Sequence, residues 1–215
     1  MENTLKISED RLEKRTRYRL MLWSFYAVAV IMKNIFATKI WKIGLFQAPA
    51  GYLFEPITFI AQDVETEVNG YQSAKKMIFW VFLINVVVAL AAQVAIILPS
   101  VSPTEVQTSF SMILGNVPRI LIASLTAYLI GGTLNSKIMD TLKGKGNSLL
   151  YRAIVSTIFG QLVDNLVFST IAFSFVMPFS QILYMSISMT FLETMYEILF
   201  FPITKFIIGK MEECK

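Results

Sequence analysis

The sequence predicts an all-α integral membrane protein, a bundle of six transmembrane helices with both termini in the cytosol. Composition is the first reason: 55% of the 215 residues are hydrophobic and only 16% are charged, whereas a soluble domain carries about 25% charged residues. The second reason is the length of the apolar runs. Residues 77–98 contain no charged side chain, and roughly 20 apolar residues are enough for a helix to cross the hydrocarbon core.

Six apolar runs follow a charged beginning. Residues 1–19 carry both charge signs and predict a cytosolic lead-in, residues 20–208 a six-helix transmembrane domain, and residues 209–215 a cytosolic tail. Glycine, proline and asparagine, which favour turns, separate the runs. Kinks are expected at Pro118 and Pro202, inside the fourth and sixth runs. The expected spans are 20–40, 52–69, 77–98, 110–134, 149–175 and 181–208.

The distribution of basic residues predicts the orientation. Lysine and arginine are concentrated in the lead-in, after the second and fourth spans, and at the C-terminal end, whereas residues 99–109 contain neither. Because cytosolic loops of membrane proteins carry an excess of lysine and arginine, both termini are expected in the cytosol. We expect a multi-pass protein of the cell inner membrane.

Several classes of function are excluded by missing residues. The chain has no histidine and one cysteine, Cys214, which excludes histidine metal ligands, Ser-His-Asp triads and an internal disulfide. It also lacks the Gly-x4-Gly-Lys-Ser/Thr loop that binds nucleotide phosphates. We therefore expect neither an enzyme nor a protein that binds a metal or a cofactor.

Polar residues inside the spans are the candidate site. An ionisable residue in a span costs roughly 2.5–3.5 kcal/mol and normally faces the protein interior. Thr157, Gln161, Asp164 and Phe168 share one helix face by their spacing, and Asn165 adjoins them. Further polar stripes are formed by Asn34 on span one, Asp63 and Glu67 on span two, Arg119 at the outer end of span four, and Glu193 with Tyr196 on span six.

Acids outnumber bases within the spans, so a neutral or weakly cationic ligand rich in N–H donors would fit better than an anion. A carboxylate can accept two hydrogen bonds from the ring N–H and exocyclic amine of a guanine-like base, and glutamine or asparagine can pair with a base edge. Phe168 or a tyrosine can stack on the ring, worth roughly 1–3 kcal/mol. A cation or an amine drug would satisfy the same chemistry.

Four stretches of the chain carry a resemblance. They are NIFATKI (34–40), PITFIAQDVETEVNG (56–70), RILIASLTAYL (119–129) and STIFGQLVDNLVFSTIAF (156–173). They resemble the queuosine precursor transporters of bacteria and archaea, also called the vitamin uptake transporter family, which import 7-deazaguanines such as 7-cyano-7-deazaguanine. The fourth stretch, with Gln161 and Asp164 three residues apart, is the most specific.

The resemblance implies import of a queuosine precursor for tRNA modification: 7-cyano-7-deazaguanine, its 7-aminomethyl form or queuine. Asp164 and Gln161 would bind the base edge, with Asn165, Phe168 and Tyr196 close by. Asn34, Asp63 or Glu67, and Glu193 would line the path, and Arg119 would pair with a carboxylate. The chain departs from the family pattern at Asn69 (often Tyr), Gly132 (usually Gln), Asn135 (usually Asp) and Glu193 (often Lys). The last departure favours a substrate with a cationic aminomethyl group.

Other interpretations remain open at this level. The chain can be a facilitator, a proton-coupled carrier, or the substrate-binding subunit of an ATP-driven assembly, with or without a homodimer, and the solute can be another vitamin- or purine-like molecule. No direct binding of nucleic acid is expected. A second hypothesis is an intramembrane enzyme that uses Asp63 and Asp164 as its acid and base. A third hypothesis is a structural protein whose polar residues only hold the helices together. Small residues on span four, Ala123, Ala127 and Gly131, predict close packing inside the chain.

Overall fold

The computed structural model describes residues 2–144 and 149–213. The turn residue Gly146 and the end of the predicted tail, with Cys214, lie outside these ranges. The described residues form seven α-helices, one β-hairpin (strands β1 and β2) and one 3-10 helix. In chain order these are α1 (Glu2–Phe36), β1 (Ile40–Ile43), β2 (Phe46–Pro49), the 3-10 helix Ala50–Phe54, α2 (Glu55–Asn69), α3 (Tyr71–Ile97), α4 (Thr104–Leu114), α5 (Val117–Gly144), α6 (Leu149–Phe173) and α7 (Phe179–Glu212).

The helices are those of a membrane protein. Leu12–Phe36, Tyr71–Ile97 and Thr104–Gly132 are long and apolar enough to cross a bilayer, and Thr157–Phe173 is a shorter apolar helix. Large apolar side chains on α3 and α7, such as Leu90 (62%) and Ile198 (70%), are exposed. Such exposure is unfavourable in water and favourable in lipid. Helix α2, with 15 residues, is about 22 Å long and by itself shorter than the hydrocarbon core of about 30 Å.

The predicted helix ends are partly correct. Helix α2 ends at Asn69 beside the expected Asn-Gly turn, and α7 begins directly after Pro178. The fourth span is different, because the chain breaks at residues 115–116 into α4 and α5. Pro118 then falls in the first turn of α5, where its missing N–H removes no helical hydrogen bond. The predicted kink at Pro118 is therefore wrong.

A β-hairpin between α1 and α2 is an element that the sequence did not predict within the otherwise helical fold. Strands β1 and β2 are antiparallel, with Trp41 opposite Ala48. The hairpin packs on α7, where the Gln47 backbone N–H donates to Ser188 Oγ at 2.7 Å and the rings of Phe46 and Phe191 stack with centroids 5.4 Å apart. Strands of four residues are too short for their alternation to be seen in the sequence, so the first span ends at residue 36 and the second helix begins at residue 55.

Helices α5 and α6 pack closely against each other in the core. Ala123 and Ala127 of α5 are fully buried, and they belong to the same hydrophobic cluster as Phe168 and Ala172 of α6. Small side chains let two helix backbones approach closely. The small-residue face of α5 therefore packs within the chain.

A polar cluster joins α1, α2 and α3 at the end of α2. The fully buried carboxylate of Glu65 accepts hydrogen bonds from Arg19 Nε at 3.0 Å, Ser73 Oγ at 2.6 Å and Asn69 Nδ2 at 3.0 Å. Arg15 donates in turn to Asn69 Oδ1 at 2.7 Å. A buried carboxylate is tolerated only with such a set of partners, so this cluster fixes the three helices relative to one another.

Candidate functional site

A cavity of about 290 Å³ lies between the helices. Its walls come from α1, α2, α3, α5, α6, α7 and the 3-10 helix, so nearly the whole chain contributes to it. Its volume is at the small end of the range of ligand pockets. Its polar lining consists of Lys33, Asn34, Glu55, Thr58, Gln62, Asn85, Ser124, Thr157, Gln161, Asp164, Asn165, Glu193 and the hydroxyls of Tyr26, Tyr52 and Tyr128.

The structure brings six of the sequence-predicted residues to this cavity. They come from α1, α6 and α7, and they are Asn34, Gln161, Asp164, Asn165, Phe168 and Glu193. Gln161 and Asp164 lie on one wall because residues three apart are neighbours on a helix surface. Phe168 is almost completely buried, and its ring meets that of Phe173 edge to face with centroids 5.9 Å apart.

Two predicted residues of α2 lie outside the cavity. Asp63 and Glu67 are exposed, whereas the neighbouring Phe59 and Gln62 line the cavity. One residue turns a helix by about 100°, so Asp63 points away although Gln62 points inward. The four-residue spacing of Asp63 and Glu67 places them on one face of α2, but it does not show whether that face points inward.

Arg119 and Tyr196 also lie outside the cavity. Arg119 Nε donates to the backbone carbonyl of Ile171 at 2.8 Å, and its guanidinium lies over the Phe175 ring at 5.3 Å. Arg119 thus ties the start of α5 to the end of α6, and it does not pair with a carboxylate of the described residues as predicted. Tyr196 packs against the main hydrophobic core, with its ring 6.2 Å from that of Phe200.

Tyr52, Asn165, Thr190 and Glu193 form a buried hydrogen-bonded cluster. The Tyr52 hydroxyl oxygen lies 2.6 Å from Asn165 Oδ1 and 2.8 Å from Glu193 Oε1. Asn165 Nδ2 donates to Glu193 Oε2 at 2.6 Å and to Thr190 Oγ1 at 3.1 Å. The cluster connects the 3-10 helix, α6 and α7. Both oxygens of Glu193 are occupied within the protein, and sequence reasoning missed Tyr52, whose partners are more than 100 residues away in the chain.

Lys33 and Glu55 form an ion pair that sequence reasoning also missed. Lys33 Nζ contacts Glu55 Oε2, and the ammonium lies 5.8 Å from the centroid of the Tyr52 ring. The two residues lie on α1 and α2, the first two helices. A single charge inside a span is costly. The pair could therefore have been predicted from the opposite charges that the sequence places on two consecutive spans.

Several amides of the cavity wall are also engaged within the protein. Asn34 Nδ2 donates to Asn85 Oδ1 at 2.8 Å, and Asn85 Nδ2 donates to the Val81 carbonyl at 2.9 Å. Gln62 Nε2 donates to the Tyr26 hydroxyl at 3.2 Å. These bonds connect α1 to α3 and α2 to α1, so they fix the walls around the cavity.

Asp164 and Gln161 differ from these groups. Within the described part of the chain, no hydrogen bond or salt bridge uses the Asp164 carboxylate or the Gln161 amide. Both side chains are half-buried and line the cavity. A carboxylate offers acceptors only, whereas an amide offers two N–H donors and one acceptor. Side by side, they can bind a flat molecule that presents adjacent N–H donors and a carbonyl.

Gly131 of α5 packs directly against the turn of α6 that contains Asp164. A Cβ added at Gly131 would lie 2.6 Å from Asp164 Cβ and 2.9 Å from the carbonyl oxygen of Gly160. Gly131→Ala must therefore push α5 and α6 apart. We expect a loss of about 1–3 kcal/mol in the free energy of unfolding, which is typical of overpacking, measured by thermal unfolding of the detergent-solubilised protein.

Gly209→Ala is the matched control, since an added Cβ there meets nothing within 4 Å. It should unfold at the wild-type temperature or slightly above it, because alanine favours a helix over glycine. A Gly131→Ala protein as stable as Gly209→Ala would contradict the close approach of α5 to Asp164.

Apolar helices enclosing a polar cavity are the arrangement of a membrane transport protein. The model of the family described as "Putative vitamin uptake transporter" matches residues 49–207. The chain belongs to this family, as the four sequence stretches indicated.

Three relatives agree with that assignment. The "Probable queuosine precursor transporter" of Haemophilus influenzae is 26% identical over 183 residues, covering 79% of this chain and 76% of the relative. The protein of the same description from Bacillus subtilis is 24% identical over 163 residues, covering 74% and 71%. The "Queuosine precursor transporter" of Escherichia coli is 25% identical over 159 residues, covering 73% and 70%. No solved structure matches the chain significantly.

Proposed function

We propose that this chain imports a queuosine precursor, a 7-deazaguanine base, across the cell inner membrane, and that it is a transporter and not an enzyme. The names of three relatives that align over most of their length support the substrate. The precursors within the proposal are 7-cyano-7-deazaguanine, its 7-aminomethyl form and queuine.

In this proposal the chain crosses the membrane six times with both termini in the cytosol. The crossing helices are α1, α2 extended by the 3-10 helix, α3, α5, α6 and α7. The distribution of basic residues supports this orientation. Residues 99–109, at and before the start of α4, contain no lysine or arginine, whereas the lead-in is rich in both. The polar cluster around Glu65, with Arg15 and Arg19, would then lie at the cytosolic side.

The observation that carries the proposal is the pair of cavity groups that make no hydrogen bond or salt bridge with the described residues, Asp164 and Gln161. A 7-deazaguanine presents a ring N–H and an exocyclic amine side by side, with a carbonyl next to the ring N–H. The Asp164 carboxylate can accept from both N–H groups, and such charge-assisted bonds are the stronger kind. The Gln161 amide can donate to the carbonyl.

The rest of the cavity suits a single flat base. Its volume of about 290 Å³ is at the low end for ligand pockets, which favours a base over a nucleoside. Aromatic side chains supply ring surfaces for stacking, worth roughly 1–3 kcal/mol per base. They are Tyr26, Phe59, Phe82, Tyr128 and Phe168.

Counterflow in proteoliposomes tests the function. Vesicles loaded with unlabelled 7-cyano-7-deazaguanine should accumulate the labelled base transiently. Vesicles that contain only buffer should not. External 7-deazaguanine should compete, and 7-deazaadenine should not, because it lacks the adjacent N–H donors that Asp164 requires. Absence of counterflow with every 7-deazaguanine, or equal competition by 7-deazaadenine, would contradict the proposal.

The paired-carboxylate enzyme receives no support from the geometry. Asp63 is exposed on α2 outside the cavity that Asp164 lines, so the two carboxylates do not face a common reacting atom. Transport as proposed involves the bilayer and a small solute. A homodimer or an ATP-driven module would be an addition to it.

A further inference from the structure

The cluster around Glu193 contains four polar contacts and too few protons for them. The contacts join the Tyr52 hydroxyl to Asn165 Oδ1 and to Glu193 Oε1, and Asn165 Nδ2 to Glu193 Oε2 and to Thr190 Oγ1. A phenol supplies one proton and a primary amide two. The Thr190 hydroxyl proton is already used, because it is donated to the Ser186 carbonyl at 2.9 Å. Three protons therefore serve four contacts.

The missing proton belongs on Glu193. If Glu193 Oε1 carries it, the carboxylic acid donates to the Tyr52 oxygen, and the Tyr52 hydroxyl donates to Asn165 Oδ1. Both Asn165 N–H groups then donate to Glu193 Oε2 and Thr190, and all four contacts become hydrogen bonds. With a charged Glu193, the single Tyr52 proton could be donated either to Asn165 or to Glu193. The other of the two contacts would then hold two acceptor oxygens within 2.8 Å of each other, which is unfavourable in a buried cluster.

Exchanging the amide atoms of Asn165 does not remove the need for this proton. In the exchanged orientation the amide oxygen faces Glu193 Oε2 at 2.6 Å and Thr190 Oγ1 at 3.1 Å. The first contact again requires a proton on Glu193, and the second has none because the Thr190 proton is committed. Both orientations therefore contain a protonated Glu193.

We propose that Glu193 is a proton-binding site of the transporter, occupied in this state, and that its release of the proton couples proton movement to transport. The coupling rests on the proposed function, whereas the occupied proton site rests on the cluster alone. The ligand is a proton, and the site is a buried carboxylic acid on α7 with Tyr52 and Asn165 as its partners.

The charges around Glu193 agree with a neutral side chain. The titratable groups that share its cavity are Lys33 and Tyr26 on α1, Tyr52, Glu55 on α2, Tyr128 on α5 and Asp164 on α6. Lys33 already pairs with Glu55. A neutral Glu193 leaves at most one net negative charge in the cavity, that of Asp164, whereas a charged Glu193 would add another without a further cation among the described lining residues.

Loss of the Glu193 proton would change hydrogen bonds next to Asp164. The acid would give its proton to water in the cavity, and the single Tyr52 proton could then serve only one of its two acceptors. Asn165 directly follows Asp164 in α6, so a break between Tyr52 and Asn165 acts beside the base-binding carboxylate. Tyr52 also follows Gly51, where an added Cβ would collide with the Lys33 carbonyl oxygen, so the 3-10 helix packs directly against the backbone of α1.

Infrared difference spectroscopy tests the proton site without any substrate. Glu193→Gln reproduces the protonated pattern, because the amide N–H can donate to Tyr52 and the amide oxygen can accept from Asn165. The wild-type protein at neutral pH should show a carboxylic acid C=O band that Glu193→Gln lacks and that the control Glu105→Gln, changed at an exposed residue of α4, retains. If Glu193→Gln loses no acid band, the proton site is wrong.

Accumulation in proteoliposomes tests the coupling. With the outside one pH unit more acidic, one proton per substrate allows wild type and Glu105→Gln to concentrate 7-cyano-7-deazaguanine up to about tenfold, since 1.4 kcal/mol is a factor of ten. Glu193→Gln should reach no more than equal concentrations. Wild-type accumulation that ignores the gradient, or gradient-driven accumulation by Glu193→Gln, would overturn the coupling. A missing counterflow signal in wild type would instead overturn the proposed substrate and leave the infrared result to decide the proton site.

Discussion

Asp164→Asn should lower the initial rate of 7-cyano-7-deazaguanine uptake at sub-saturating concentration by about 10- to 100-fold. The substitution keeps the size of the side chain but replaces one acceptor oxygen by an N–H donor, which would face an N–H donor of the base. Hydrogen bonds to charged groups contribute about 1.5–3 kcal/mol, and each 1.4 kcal/mol is tenfold. Initial rates in proteoliposomes of equal protein content are the measurement.

Asp63→Asn is the matched control for this experiment. It makes the same chemical change on an exposed residue outside the cavity, and uptake should stay within about twofold of wild type, since surface substitutions usually change free energies by less than 0.5 kcal/mol. If Asp63→Asn is impaired and Asp164→Asn is not, the base binds on α2 and not on α6.

Lys33→Met should destabilise the fold by about 3 kcal/mol, the lower end of the range for breaking a buried ion pair. The reason is the partner of Lys33: the side chain of Glu55 is only 7% exposed and would lose the cation with which it pairs. Lys33 itself is 28% exposed and lines the cavity. Thermal unfolding in detergent is the measurement.

The double variant Lys33→Met/Glu55→Gln should recover most of that loss, because it removes both charges together. Replacing a buried pair by neutral groups of similar size is often close to neutral in stability. A double variant as unstable as Lys33→Met would show that lost packing, and not an uncompensated carboxylate, causes the effect.

Apolar length and helical spacing were enough to predict the long apolar helices and one wall of the cavity. Gln161, Asp164 and Phe168 lie on one face because spacing along a single helix fixes their relative direction. Turn residues such as Gly70 and Pro178 marked where helices begin and end. These features depend on residues that are close in the sequence.

Contacts between helices were not predictable in the same way. The partners of Glu193 are Tyr52 and Asn165, and which atoms meet depends on the rotation and depth of each helix in the bundle. The inward face of α2 was misjudged for this reason, since Asp63 lies only one residue from Gln62, which faces inward. The hairpin was missed because its strands hold four residues each.

Isothermal titration of purified, detergent-solubilised wild type and Asp164→Asn with 7-cyano-7-deazaguanine tests the central claim most directly: that the Asp164 carboxylate binds the N–H edge of a 7-deazaguanine. Wild type should bind one base per cavity, and Asp164→Asn should bind it at least about tenfold more weakly while unfolding at the same temperature. No binding by wild type, or equal affinity in the two proteins, would contradict the claim.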